Sequence, residues 1–158
     1  MIDDKDLKIL SILQKNSRTS NAEIARQLGI ATSAVFERIR KLETKKIIRS
    51  YEARLNPKEL SQELLAFIFV RTSDPVGDLK TARLLAELAS VQEVHHITGE
   101  DCYLLKVRAS STEDLGRIMR EDIGKIKEVS TTRTTIALET VKETCELCLG
   151  AARGLVNR

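Results

Sequence analysis

The sequence predicts an α+β chain of two modules: an N-terminal winged helix-turn-helix over residues 1–56, then a ferredoxin-like βαββαβ unit over residues 57–140. Three observations predict it. Apolar residues recur at helical spacing through about residue 45, and strand-like apolar runs alternate with helical segments after residue 63. Charge divides the same way: residues 1–55 hold 12 Lys and Arg against 7 Asp and Glu, a net +5, while residues 56–158 hold 14 against 16, a net −2. Between the two patterns stands Asn56-Pro57, a dipeptide that interrupts regular structure. A chain of 158 residues suffices for two small domains, and 3% aromatic content without Trp requires aliphatic cores.

The elements follow in order. Asp3 caps a helix to about Lys15, with Leu7, Leu10 and Leu13 turned inward. Ser20-Asn21-Ala22-Glu23 fits a capping box, and Gly29 closes that second helix. A third helix starts near Thr32 or Ser33 and runs to about Lys45; Val35, Ile39 and Leu42 share its buried face. The stretch KKIIRSYEARLN, rich in β-branched and aromatic residues, predicts a hairpin or extended strand, the wing. Strands are expected at Leu64–Thr72, Val91–Thr98, Cys102–Ala109 and Val129–Thr140, with a tight Gly99-Glu100-Asp101 turn joining the middle two. Helices are expected over 78–89, with Leu84, Leu85 and Leu88 as core, and from a cap at Ser111 or Thr112 to about Lys125, with Leu115, Ile118, Met119 and Ile126 inward. The first strand is apolar on both faces, although two helices cover only one side of a four-stranded sheet. A second subunit on the bare face, and hence at least a homodimer, is the expectation.

The third helix has one apolar side and one cationic side, which suits a recognition helix in the DNA major groove. Arg38, Arg40 and Lys41 are then contacts to phosphate or guanine, and Thr32, Ser33 and Glu37 lie where base edges come closest. Ser20 and Asn21 offer helix N-terminal N–H groups to a phosphate, and Arg49 in the wing reaches the minor groove or backbone. A lone basic helix is more often an ordinary solvated face; the +5 excess, the helix spacing and the wing together favour double-stranded DNA. For Arg38 a salt bridge to Glu37 or Glu43 is the competing reading.

The stretch from Asp3 to Pro57, DDKDLKILSILQKNSRTSNAEIARQLGIATSAVFERIRKLETKKIIRSYEARLNP, resembles the DNA-binding half of the Lrp/AsnC (leucine-responsive, feast/famine) regulators, and ITGEDCYLLKVRA resembles the hairpin of their effector domain. The resemblance spans nearly the whole chain. It implies a bacterial or archaeal transcription factor that dimerises through the effector domain and assembles into tetramers, octamers or larger rings. It also implies an amino acid or related small-molecule effector held between dimers. Two positions depart from the pattern: Ala31 stands where a capping Ser or Thr is usual, which moves the expected cap of the third helix to Thr32, and Cys102 stands where Asp is usual. An amino-acid ligand needs donors and acceptors at close range, which the Gly99-Glu100-Asp101-Cys102 turn offers through its backbone. By the resemblance, Thr132 and Thr134 face the ligand. Asp122, on an otherwise apolar helix face, is a further candidate. Ordinary hairpin and strand chemistry explains these residues about as well without the family.

Other signals point to less. Cys145 and Cys148 form a C-x-x-C without a second ligand pair for zinc or the βαβ context of a redox motif; helical thiols that pack or stay free are expected, in a tail over 141–158 read as a helix supporting oligomer contacts. His95 and His96 alternate across a strand and cannot act as one unit. No metal, cofactor or enzyme activity is expected. An acidic start without a signal peptide, and no apolar run of about 18 residues, predict a cytoplasmic protein with reduced thiols and no membrane partner. The leading reading is a sequence-specific transcriptional regulator responding to an amino acid. The alternatives are an architectural DNA-wrapping multimer without an effector, and a ligand-binding or enzyme subunit whose helical head binds protein.

Overall fold

A computed structural model describes residues 2–75 and 77–150. The chain forms two compact units, described separately: residues through Arg54 together with 142–150, and Leu55–Val141.

In the first unit, α1 (Asp4–Lys15) begins at a reciprocal capping box. The Asp3 carboxylate accepts the Asp6 N–H at 2.9 Å, and the Asp6 carboxylate accepts the Asp3 N–H at 3.1 Å. α2 (Asn21–Leu28) is capped by Ser20, whose hydroxyl accepts the Glu23 N–H; the Glu23 carboxylate turns instead to Arg26 and Gln27. Gly29 ends α2 at φ 62, a left-handed conformation that costs glycine no Cβ clash. α3 (Thr32–Thr44) follows after Ile30 and Ala31. Ile9, Leu13, Ile24, Ala25, Val35 and Leu42 make the core, with Ile39 and Ile48 packed against it. Leu7 and Leu13 are buried as expected, while Leu10 only borders the core and Ile9 and Asp6 are buried beside them. This burial carries the Asp6 carboxylate inward, toward α3.

The expected wing does not form: residues 45–56 contain no strand. The end of α3 uses the backbone groups a ladder would need. Lys46 takes a left-handed φ of 54, its N–H donates to the Glu43 carbonyl at 2.8 Å, and the Ile47 and Ile48 N–H groups both donate to the Leu42 carbonyl. Ile48 then packs on the helical core, and the Tyr51 hydroxyl donates to Glu43 Oε1 at 2.9 Å. The β-branched residues that read as a strand thus close a helix. The tail also differs from expectation. Its described part, 142–150, contains no helix, so Cys145 and Cys148 are not helical thiols; all three cysteines are free. Residues 151–158 lie outside the described residues.

The second unit contains β1 (Leu64–Thr72), α4 (Lys80–Ala86), β2 (Val91–His96), β3 (Tyr103–Ala109), α5 (Thr112–Arg117) and β4 (Val129–Ile136). After α5 the chain continues as a π turn, Ile118–Asp122, and a 3-10 turn, Ile123–Lys125. The sheet order is β2-β3-β1-β4, all pairs antiparallel, the ferredoxin-like arrangement. Ala66, Ile68 and Val70 alternate on one face and pack with Tyr103, Leu105, Val107, Leu85, Leu115, Ile118 and Ile123. Leu84 is exposed and Leu88 borders the core, so α4 buries fewer leucines than expected; the fully buried Thr81 takes a core place by donating to Asp74 at 3.0 Å. The opposite face carries Leu65, Phe67, Phe69 and Arg71, placing half-buried apolar surface where no helix covers it. His95 joins Glu93 at 3.0 Å, and His96 stacks near Tyr103 on the other face, so the histidines do separate.

The two tyrosines supply a test of these packings. Burial, then the bond to Glu43, pushes the Tyr51 hydroxyl up to about 12, and burial, then the Asp74 charge, raises Tyr103. Raised acids stabilise the fold below the unfolded value of about 10 and lose that contribution as pH climbs through the folded value. Tyrosinate absorbance is expected to develop only above pH 10 in the native protein, Tyr51 near 12, and at about pH 10 in denaturant.

Candidate nucleic-acid interface and sensor module

Burial of Val35 and Leu42 at 0% and 3% fixes the rotation of α3. Thr32, Ser33, Phe36, Glu37, Arg40 and Lys41 are consequently exposed. Ser33, Phe36 and Arg40 are neighbours at i, i+3 and i+7, and Arg40 lies 3.9 Å from Glu37, an exposed pair that holds little energy and leaves Arg40 available. Lys41 is exposed on the same helix, and Arg49 is exposed in the irregular segment beyond it.

The structure removes Arg38 from this cationic face. Its guanidinium donates to Asp3 Oδ2 at 2.6 Å and Asp6 Oδ1 at 2.8 Å, and its side chain is only 29% exposed. Neither Glu37 nor Glu43 is its partner. At Asp3, burial opposes ionisation, but the Asp6 N–H and the Arg38 guanidinium outweigh it and hold the carboxyl below its usual range; the bonds to Asp6 and Asp3 raise Arg38. Arg38 is therefore a tie from α3 to the start of α1, and it helps fix which side of α3 faces outward. The signal was the acidic Asp3/Asp6 pair, three residues apart at a helix start.

Thr32 does not cap α3. Ala31 occupies the N-cap position and no side chain caps the first turn. The leading N–H groups at the exposed Thr32 and Ser33 therefore lack a side-chain acceptor and are suited to an anion. Ser20 and Asn21 occupy the equivalent place on α2. A groove of about 310 Å³ runs beside them, lined by Thr19, Asn21, Phe36, Arg40 and Tyr51 among others. Phe36, 54% exposed, is the residue sequence reasoning missed. Its signal was position: it falls outside the apolar stripe yet is large and aromatic.

In the second unit the β2–β3 connection spans residues 97–102, longer than the expected three-residue turn, and is closed by the Ile97 N–H on the Cys102 carbonyl at 3.0 Å. Gly99 takes φ 119 within it. The Cys102 N–H donates to Val70, whose register partner on β4 is Thr132, so turn and threonines meet at one end of the sheet. Their side chains diverge. Arg71 Nε donates to the Glu100 carbonyl at 2.9 Å, and Arg133 donates to Asp101 at 2.9 Å while lying 3.9 Å over the Phe69 ring. Both arginines belong to the open sheet face. Thr132 and Thr134 point to the helix-covered face, where Thr134 Oγ1 meets Met119 Sδ at 3.4 Å. Asp122 is engaged by Arg117 at 3.4 Å across the π turn and does not face the Gly99 turn as an unpaired carboxylate.

A helix-turn-helix unit followed by a ferredoxin-like βαββαβ unit defines a DNA-binding regulator built with a separate ligand-binding module. Family comparison agrees on both modules: residues 2–43 match the AsnC-type helix-turn-helix domain, and residues 65–147 match the Lrp/AsnC ligand binding domain. The chain belongs to the Lrp/AsnC family of transcriptional regulators. The HTH-type transcriptional regulator LrpA of Pyrococcus horikoshii is 39% identical over 142 residues, 90% of this chain and all of that protein. Among solved structures, a Neisseria meningitidis transcriptional regulator in complex with L-Met superposes with a TM-score of 0.90 at 26% identity, covering 96% of this chain and 99% of the other. A feast or famine regulatory protein from M. tuberculosis complexed with L-methionine gives 0.86 at 29% identity over 93% and 99%. Among the described residues no helix is long and apolar enough to cross a membrane, and no group of three or more His, Cys, Asp or Glu is placed to hold a metal.

Proposed function

We propose that this regulator reads operator DNA with the exposed face of α3 and takes an amino acid at the Gly99–Cys102 end of its second unit. The observation carrying this reading is the rotation of α3: its buried residues and the Arg38 tie leave Thr32, Ser33, Phe36, Glu37, Arg40 and Lys41 outward. Thr32, Ser33 and Glu37 address base edges, Phe36 a thymine methyl, and Arg40 and Lys41 guanine or phosphate. Ser20, Asn21 and Arg49 hold the flanking backbone. In the second unit, Gly99, Glu100, Asp101 and Cys102 offer polar groups to the effector, with Thr132 and Thr134 approaching the same end of the sheet from its helix-covered face. Asp122, held by Arg117, is left out. The complexes of two relatives with L-methionine support this ligand class. The apolar open sheet face supports a homodimer; tetramers, octamers or larger rings then need a second interface between dimers. A cytoplasmic location suits such a protein.

Calorimetry against each proteinogenic amino acid, with light scattering on the same samples, tests the reading. The expected result is a protein at least dimeric, saturable heat for a small subset led by methionine or similar side chains, and a changed assembly size or footprint on binding. A monomer sinks the homodimer reading and the architectural multimer with it; no heat with an unchanged footprint sinks the effector reading and favours the effector-free architectural alternative.

A further inference from the structure

The chain end offers a chemistry that the regulator reading does not use. From 142 to 148 it runs without a turn or bend. Leu147 is held on α1 by both backbone groups: its N–H donates to Gln14 Oε1 at 2.7 Å, and its carbonyl accepts from Gln14 Nε2 at 3.3 Å. The Leu147 side chain is 73% exposed, so the backbone pairing makes the attachment. Upstream, Arg54 pairs with Glu143 at 3.5 Å. Cys145 and Cys148, both free and exposed, bracket Leu147.

A disulfide needs Cα atoms about 4.4–6.8 Å apart. A chain without a bend covers up to about 10 Å over three residues. Joining Cys145 to Cys148 therefore requires a turn through Glu146 and Leu147. Such a turn rotates the Leu147 N–H and carbonyl away from their common partner. We propose that Cys145 and Cys148 form a reversible dithiol–disulfide site whose oxidised state and the attachment of Leu147 to Gln14 exclude each other. The oxidant is a low-molecular-weight disulfide. One cysteine thiolate attacks it, forming a mixed disulfide and releasing one small thiol; the second cysteine attacks that bond, closing the ring and releasing the other. The pair gives up two electrons and two protons, and the small disulfide is reduced to two thiols. A small dithiol reverses the exchange and restores the strap.

The test uses the full chain carrying Cys102→Ser, equilibrated across oxidised-to-reduced glutathione ratios, with mass spectrometry reading the loss of two hydrogens and hydrogen exchange reading the Leu147 amide. The expected result is a Cys145–Cys148 disulfide whose formation exposes that amide. Gln14→Ala, which removes the attachment while favouring the helix, is expected to shift the equilibrium about three- to tenfold toward the disulfide, a potential about 15–30 mV more negative. Gln14→Glu, which keeps the acceptor and loses the donor, falls between. Absence of the disulfide at every ratio, an equilibrium indifferent to Gln14, or an oxidised protein with Leu147 still protected overturns the proposal.

Discussion

Replacing Arg40 and Lys41 together with Ala is expected to abolish most specific DNA affinity while leaving the fold intact. Both side chains are exposed and contribute nothing to the α3 core, so the thermal transition should move little. Each lost phosphate contact removes about 0.9 from the slope of log K against log salt, and near 0.1 M salt about tenfold in affinity. The double variant should therefore lose about a hundredfold and flatten the slope by about 1.8 if both residues hold phosphates. A salt series of binding isotherms measures both quantities. A residue that reads guanine instead shows a smaller slope change with relaxed specificity at one base pair. An unchanged slope and affinity would remove α3 from the DNA interface.

Arg38→Ala is expected to lower stability by about 1–3 kcal/mol, because the Asp6 carboxylate, 13% exposed, loses its partner without reaching bulk water. The cost should shrink sharply when Asp6 is also replaced by Ala, since the orphaned charge is then gone. Urea unfolding of the four proteins of that cycle gives the coupling. Acid adds a second readout. Asp3 has a lowered folded pKa, so its contribution is present above the unfolded value near 3.8 and is lost as pH falls through the lower folded value. Without Arg38 the folded value rises toward 3.8, so this contribution is smaller and its loss is complete at a higher pH. DNA affinity should fall too, through loosening of α3, and Arg38→Lys should recover part of the stability but not the two-carboxylate geometry.

How much of this was legible in the chain depends on whether local chemistry decided each outcome. The caps at Asp3, Ser20 and Ser111 and the stop at Gly29 are short-range, and each forms where its residues predict. β1 was legible because a seven-residue apolar run, Leu64 to Val70, with β-branched members has few other uses. The wing failed for the opposite reason: Ile47 and Ile48 have strand composition, but the Leu42 carbonyl and the helical core compete for them and win. Arg38 was misjudged because its partners lie 32 and 35 residues away, a distance no periodicity reports. The sensor end was half legible. Its turn and threonines do gather around Val70, yet the alternation of β4 sends Thr132 and Arg133 to opposite faces.

Arg71 and Arg133 give that last detail a mechanical meaning. Each has its guanidinium fastened to the Gly99 turn, and Arg133 also lies over the half-buried Phe69 of the open face. A newcomer competing for the Glu100 carbonyl or the Asp101 carboxylate frees a cation, and a freed cation redraws the stickiness of the surface beneath it. An occupied turn would thus register on the open face through two surface side chains rather than through the buried core.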